Sequence, residues 1–246
     1  MRVLLVDNTK LNECEFTKRL KNKILCMNGQ PLVVYDDNFK TFDTIDFDAV
    51  ILSGSTLNLT EPNRLEMYSK SLNALLRCQN IPVLGICFGM QLMAQIYGGT
   101  VRRHSVPITG EHRISVSPGC VLTHNTCCHI HVTLSHQDFV ETCPPGFESF
   151  AIYNNMHQVI QSLQYLRFGV QFHPEVCPSQ ETCCILYNFF KFVTLRNQLL
   201  VPYMKSVPIA VTDKITDKIT DKITEKITEK ITEKNCKKKS TIQSKL

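Results

Sequence analysis

The sequence of 246 residues lacks any apolar run near the roughly 20 residues that a transmembrane helix needs, so no membrane partner is predicted. Its N-terminus reaches a carboxylate at Asp7, which is too early for a secretory signal peptide. The composition of 43% hydrophobic and 20% charged residues is instead that of a globular domain with a sizeable core. These absences favour a cytoplasmic protein.

The sequence also lacks the cysteine pattern of a disulfide-stabilised secreted protein, although it contains 12 cysteines. They are scattered through apolar segments of a medium-sized chain, which favours reduced thiols. A cluster of histidines and cysteines over residues 124–131 does not have the Cys-x₂₋₄-Cys spacing of a zinc site, because its two cysteines are adjacent. We therefore predict neither a metal site nor a cofactor.

The net charge of +5 is concentrated near the C-terminus. From Thr212 onward there are ten lysines and six acidic residues, so this segment carries +4 and the remainder about +1. A nearly neutral body does not indicate a nucleic-acid partner. The segment consists largely of tandem Thr-Asp-Lys-Ile and Thr-Glu-Lys-Ile tetrapeptides, whose apolar area is too small to offset the entropy of ordering. We predict one domain over residues 1–204 and a disordered tail over residues 205–246.

Apolar runs and helical periodicity alternate over the first hundred residues. Buried strands are predicted at 2–8, 32–35 and 48–53, and Thr60 is predicted to cap a helix that follows the third strand. This alternation predicts an α/β fold of three layers, with a mostly parallel central sheet and helices on both faces. After residue 100, short alternating runs separated by turns predict a small antiparallel excursion.

Residues 81–91 combine an apolar run, a turn with two glycines and the start of a helical pattern around Cys87. This is the layout of a nucleophile elbow, with Gly-x-Cys-x-Gly in place of the hydrolase pattern Gly-x-Ser-x-Gly. The glycines are needed because so tight a turn leaves no room for neighbouring Cβ atoms. A cysteine at a helix N-terminus favours the thiolate, so Cys87 is the predicted nucleophile.

A cysteine nucleophile needs a base, and the base needs an orienting group. His173-Pro-Glu175 supplies both, because residues i and i+2 of an extended chain point to the same face. Pro174 excludes helix at His173. We therefore predict that Cys87, His173 and Glu175 form a catalytic triad.

The motifs Gly85-Ile-Cys-Phe-Gly-Met-Gln91 and Gly169-Val-Gln-Phe-His-Pro-Glu175 together resemble those of the class I (triad) glutamine amidotransferase family. Leu134-Ser-His-Gln-Asp-Phe-Val140 is most similar to the glutaminase part of GMP synthases. The resemblance implies hydrolysis of the glutamine side-chain amide through a γ-glutamyl thioester, with release of glutamate and ammonia. The 246 residues contain no Ser-Gly-Gly-x-Asp-Ser loop of an ATP pyrophosphatase, so an ammonia acceptor would be a separate synthetase subunit.

The resemblance also implies the remaining site residues. The N–H group of Phe88 and the loop at Gly54 and Ser55 would bind the oxyanion. The amino-acid end of glutamine would be held by Gln91, Ser135, His136 and Asp138.

One position in the oxyanion loop departs from the family pattern, which is usually Ser-Gly-Gly-Pro where this chain has Ser53-Gly-Ser-Thr56. If the second glycine position needs a positive φ, Ser55 would be strained. Two alternatives stay open on the sequence: a γ-glutamyl hydrolase that acts on other γ-glutamyl compounds, and a weakly active regulatory or binding module with the same fold.

Overall fold

A computed structural model describes residues 1–9, 14–35, 47–68, 71, 78 and 80–204. Its elements in chain order are β1 Arg2–Asp7, α1 Glu15–Cys26, β2 Gln30–Tyr35, β3 Ala49–Leu52, α2 Arg64–Met67, β4 Val83–Ile86, α3 Phe88–Ile96, β5 Thr100–Ser115, β6 His129–Thr142, β7 Glu148–Tyr153, β8 Met156–Ser162, β9 Arg167–Val170 and α4 Gln180–Met204. Met1–Phe190 form one compact unit. The predicted tail lies outside the described residues, and the domain boundary at residue 204 stays a prediction.

Seven strands form the central sheet in the order β2-β1-β3-β4-β9-β8-β7. The first five of these run parallel, and β8 and β7 add an antiparallel edge. Every residue of β3 and β4 is buried, as expected for parallel strands that are covered on both faces. The predicted α/β fold with a mostly parallel sheet is confirmed.

Neighbouring residues of β9 show how helices cover the two faces. The ring of Phe168 packs against Phe189 of α4, with centroids 5.8 Å apart. The next residue, Gly169, lies on the opposite face, where a Cβ atom would lie 2.8 Å from Met90 and 3.1 Å from Met93 of α3. Within the described residues, no helix combines the length and apolar character that spanning a membrane would require.

The predicted antiparallel excursion is the two-stranded sheet of β5 and β6. Its pairing shifts between Arg103, which lies opposite Asp138, and Ile108, which lies opposite His136. Between these two pairs, β5 spans five residue steps and β6 spans only two, so β5 forms a bulge. The bulge places Pro107 in the lining of the cavity described below.

The predicted cap at Thr60 is wrong. Helix α2 begins at Arg64, and the N–H and hydroxyl groups of Thr60 instead donate to the carboxylate of Asp138, at 2.8 and 2.9 Å. The run Thr60-Glu-Pro62 is a local signal for a helix start, but the hydrogen-bond partner of Thr60 lies 78 residues away in the sequence. The tertiary contact replaced the local one.

Candidate active site

The site lies where the carboxyl ends of neighbouring parallel strands meet. Strands β1, β3, β4 and β9 lie side by side, and Asn8, Ser53, Cys87 and Gln171 directly follow them. In open α/β sheets, ligands bind in the crevice at this edge. A cavity of about 340 Å³ is found there, a size that suits a small molecule. All the predicted site residues line it except Glu175, which is buried behind His173.

Cys87 connects β4 to α3 in the predicted elbow geometry. Its φ of 50° lies in the left-handed region that side chains rarely adopt, and its N–H group donates to Val170 of β9 at 2.7 Å. A Cβ atom on Gly85 would lie 2.6 Å from the backbone of Gly89, and one on Gly89 would lie 2.4 Å from the carbonyl oxygen of Leu52. The two glycines therefore let the turn pack against β3, and this packing holds Cys87 in its unusual conformation.

The His173 side chain is fixed from two sides. Its Nδ1 lies 2.7 Å from Oε1 of Glu175, and its ring lies against Phe16 of α1 with centroids 4.6 Å apart. The Nε2 atom is buried and has no hydrogen-bond partner among the residues that the structure describes. Nδ1 is thus oriented by a carboxylate, and Nε2 is left available.

Electrostatics at His173 favour the protonated ring. Burial alone would lower its pKa, but the negative charges of Glu175 and of a Cys87 thiolate raise it, and the pKa lies well above the ordinary value of 6.5. The imidazole of His173 is therefore favoured in its charged form despite its burial.

Cys87 and His173 converge beside Gly54. A Cβ atom at Gly54 would lie 3.0 Å from Cε1 of His173 and 3.7 Å from Cβ of Cys87. A side chain at this position would therefore push the imidazole ring away, which makes glycine necessary for the close approach. The predicted nucleophile, base and oxyanion loop are thus brought together in space.

The predicted oxyanion loop is held by hydrogen bonds from Asn8, which directly follows β1. The N–H group of Asn8 donates to the hydroxyl of Ser53 at 2.8 Å, and its side-chain amide donates to the Ser53 carbonyl at 2.9 Å. Ser55 does not have a positive φ, so the strain expected there does not occur. Its hydroxyl lies 3.1 Å from the hydroxyl of Tyr68 and accepts the N–H of Leu57 at 3.1 Å. The serine therefore fits the loop without strain.

Phe88 and Gln91 extend the site along the first turns of α3. The ring of Phe88 packs against Tyr68, and its backbone N–H lies at the N-terminus of the helix, where amides have no intrahelical acceptor. The side-chain nitrogen of Gln91 donates to the carbonyl of Asp138 at 2.6 Å and to Oε1 of Gln171 at 3.2 Å. Both residues are buried and both line the cavity.

The opposite wall comes from β6. The carbonyl oxygen of Ser135 lies 3.9 Å from the Cys87 sulfur. The carboxylate of Asp138 is engaged by Thr60 and by Arg103, whose Nε lies 3.3 Å away. This carboxylate therefore anchors the loop that carries Thr60, and only the backbone of Asp138 reaches Gln91.

His136 is a buried neutral ring. Burial lowers its pKa to about 4, an effect that outweighs the hydrogen bond of Nδ1 to the Asp138 carbonyl at 2.9 Å. Because a carbonyl oxygen can only accept, Nδ1 carries the proton and Nε2 is an acceptor. That Nε2 is buried without a partner in the described part of the chain. It can accept a hydrogen bond from a donor in the cavity.

Two residues that contact the predicted triad were missed in the sequence. Gln171 is fully buried, and its side-chain nitrogen lies 3.5 Å from the Cys87 sulfur. It stands two residues before His173 within the quoted motif, so the period of an extended chain could have identified it. Phe16 gave no comparable signal, because an aromatic residue on a helix usually indicates core packing.

The described residues hold no group of three or more His, Cys, Asp or Glu side chains arranged to bind a metal ion. Eleven cysteines in these ranges are free thiols.

Comparisons with known proteins agree with this architecture. The family model for class-I glutamine amidotransferases matches residues 6–193. A GMP synthase (glutamine-hydrolyzing) of Thermomicrobium roseum is 34% identical over 162 residues, which are 64% of this chain and 29% of that protein. A shorter relative from Saccharolobus solfataricus, named as one subunit of a glutamine-hydrolyzing GMP synthase, is 34% identical over 148 residues, 58% of this chain and 75% of that subunit.

Similarity also extends to solved structures. A Thermoplasma acidophilum protein, assigned as one subunit of a GMP synthase, superposes with a TM-score of 0.68 at 24% identity, over 80% of this chain and 96% of that one. At this identity the superposition establishes a shared fold. The chain spans about a third of the length of the first full-length GMP synthases that it matches.

Proposed function

We propose that this chain, which belongs to the class-I glutamine amidotransferase family, hydrolyses the side-chain amide of glutamine to glutamate and ammonia. The observation that carries the proposal is the convergence of Cys87 and His173 beside Gly54, with Glu175 on the far side of the imidazole. A nucleophile, a base and an orienting carboxylate in this order are the parts that acyl transfer needs.

In the first half of the reaction, the Cys87 thiolate attacks the amide carbon of glutamine. Negative charge then develops on the amide oxygen, and the N–H group of Phe88 and those of the loop at Gly54 and Ser55 stabilise it. The protonated Nε2 of His173 donates its proton to the leaving nitrogen. Ammonia departs, and a γ-glutamyl thioester remains on Cys87.

In the second half, water replaces ammonia. His173, now neutral, removes a proton from the water molecule as it attacks the thioester carbon. The tetrahedral intermediate expels the Cys87 thiolate and releases glutamate. Glu175 keeps the proton of the imidazole on Nδ1 throughout, so that Nε2 always faces the reacting atoms.

The amino-acid end of glutamine is proposed to lie against β6. His136 supplies the acceptor Nε2 there, and a glutamine α-ammonium group is a donor. Ser135 lines the same wall, and Gln91 lines the cavity from α3. Asp138 acts indirectly by anchoring the loop at Thr60.

A separate synthetase subunit is the proposed ammonia acceptor. The Saccharolobus solfataricus relative is named as one subunit of its synthase, and longer GMP synthases match this chain over only part of their length. We further propose that residues 1–204 form the catalytic domain in a reducing, cytoplasmic compartment, with residues 205–246 as an appended tail. A variant that ends at Val211 should then keep the glutaminase kcat/KM of the full chain, and a large loss would show that the tail belongs to the enzyme.

The substrate is tested by incubating the purified chain with glutamine and, separately, with γ-glutamyl peptides, and by assaying glutamate and ammonia. We expect both products from glutamine. Release of glutamate from the peptides alone would make the chain a γ-glutamyl hydrolase. No release from any compound, alone or with added cell lysate, would indicate a regulatory or binding module.

A further inference from the structure

Two glutamine side chains connect the backbone of Asp138 to the sulfur of Cys87. Nε2 of Gln91 lies 2.6 Å from the Asp138 carbonyl oxygen, which can only accept. The second proton of this amide faces Oε1 of Gln171, at 3.2 Å. The amide of Gln171 is therefore oriented with its oxygen toward Gln91 and its NH₂ group toward Cys87, where the N–S distance is 3.5 Å.

The three residues of this hydrogen-bonded chain are buried. Gln171 is 0% exposed, Gln91 is 2% exposed and Cys87 is 3% exposed. A donor in such surroundings is costly to leave without an acceptor, and a hydrogen bond to a charged acceptor is stronger than one to a neutral acceptor. A thiol is a weak acceptor, whereas a thiolate is a charged one. The NH₂ group of Gln171 therefore distinguishes between the two forms of Cys87.

We infer that Gln171 is a further catalytic residue, whose side-chain N–H donates a hydrogen bond to the Cys87 thiolate and favours that form over the thiol. The inference rests on the proposed function only in taking Cys87 as the nucleophile. The donor acts twice in the reaction. It enlarges the thiolate fraction before attack on the amide, and it stabilises the same thiolate when water expels it from the thioester.

The test measures thiolate formation directly and without glutamine. The rate of alkylation of Cys87 by iodoacetamide is followed from pH 5 to pH 10 by mass spectrometry of the Cys87 peptide, in the full chain and in Gln171→Met. The variant keeps the length of the side chain but removes the N–H donor. We expect the midpoint of its pH–rate curve to move upward by about one pH unit. Coincident curves would overturn the inference.

Two further variants separate this effect from a general disturbance of the core. Gln161→Met removes another buried amide, which accepts the N–H of Val121 at 2.8 Å outside the cavity, and its midpoint should match that of the unmodified chain. An equal shift in Gln161→Met would overturn the inference. Gln171→Asn keeps an amide that is one methylene too short to reach the sulfur. If Gln171→Met does not fold, Gln171→Asn serves as the test variant, and the midpoint of its pH–rate curve should move upward by the same amount.

Glutaminase assays on the same preparations distinguish this inference from the proposed function. A shifted alkylation curve in a chain that does not hydrolyse glutamine would uphold the Gln171–Cys87 hydrogen bond and refute the proposed reaction. Hydrolysis of glutamine together with coincident alkylation curves would uphold the proposed reaction and refute the Gln171–Cys87 hydrogen bond.

Discussion

The hydroxyl group of Tyr68 lies 3.1 Å from Oγ of Ser55, the position where this chain has serine in place of the family's usual glycine. The same tyrosine ring packs against Phe88, with centroids 4.3 Å apart. One buried side chain therefore contacts Ser55 and Phe88, two of the residues whose N–H groups are proposed to bind the oxyanion. We therefore expect Tyr68 to act as a positioning residue that keeps the N–H groups of Ser55 and Phe88 directed at the oxyanion.

Tyr68→Phe should lower kcat for glutamine by roughly tenfold to a hundredfold while KM stays nearly constant. The reason is that a misplaced oxyanion donor weakens binding of the transition state and leaves binding of the substrate unchanged. Steady-state kinetics measure both constants. The control Tyr97→Phe also removes a hydroxyl from a partly buried hydrogen bond, which it accepts from Arg167 at 3.0 Å outside the cavity, and should change neither constant. A rise in KM at unchanged kcat in Tyr68→Phe would contradict this role.

Glu175→Gln should reduce kcat by at least about a hundredfold, because the imidazole loses the group that fixes its tautomer. It should also change the pH dependence. The charge of Glu175 is one of the causes that raise the pKa of His173, so its removal lowers that pKa. The alkaline limb of the kcat/KM profile should consequently move to lower pH. An unchanged alkaline limb would show that Glu175 does not act on His173 electrostatically.

His136 should make the fold less stable in acid. Its folded-state pKa is about 4 and the ordinary value is 6.5, so the unfolded chain binds more protons between these values, and stability falls as the pH drops through this window. The full effect is up to about 3 kcal/mol. His173 has the opposite sign, since its raised pKa gives stability that is present below about pH 6.5 and lost as the pH rises through the folded value.

A comparison of urea unfolding in the original chain and in His136→Asn isolates the contribution of His136 to the pH dependence of stability. The asparagine amide can still donate to the Asp138 carbonyl but does not titrate. We expect the two free energies of unfolding to respond alike to pH above 7, and the original chain to lose more stability than the variant between pH 6.5 and pH 4. Parallel curves over the whole range would show that His136 titrates normally.

The sequence predicted best those features that depend on neighbouring residues. The strand, turn and helix around Cys87 were predictable because the two glycines and the apolar run are local signals of one packed turn. The pairing of His173 with Glu175 followed from the two-residue period of an extended chain. The α/β fold followed from the alternation of such local patterns.

Contacts between distant segments could not be predicted in this way. Thr60 was predicted as a helix cap from its neighbours in the sequence alone. Its actual partner, Asp138, lies on β6 in the two-stranded sheet and could not be identified from those neighbours. The strain expected at Ser55 is absent because the backbone does not have a positive φ there. The Ser55 hydroxyl lies within hydrogen-bond distance of the Tyr68 hydroxyl instead. Asp138 and Tyr68 cannot be identified as the partners of Thr60 and Ser55 from neighbouring residues in the sequence, so these contacts are seen only in the folded chain.

The central claim is that Cys87 forms a γ-glutamyl thioester, and intact-protein mass spectrometry after rapid acid quenching tests it most directly. The full chain mixed with glutamine should gain the mass of one γ-glutamyl group, located on the Cys87 peptide. Cys87→Ala should gain none and release no ammonia. Cys120→Ala, which removes a buried thiol outside the cavity, should behave like the original chain. Ammonia release by Cys87→Ala at the original rate would contradict the account.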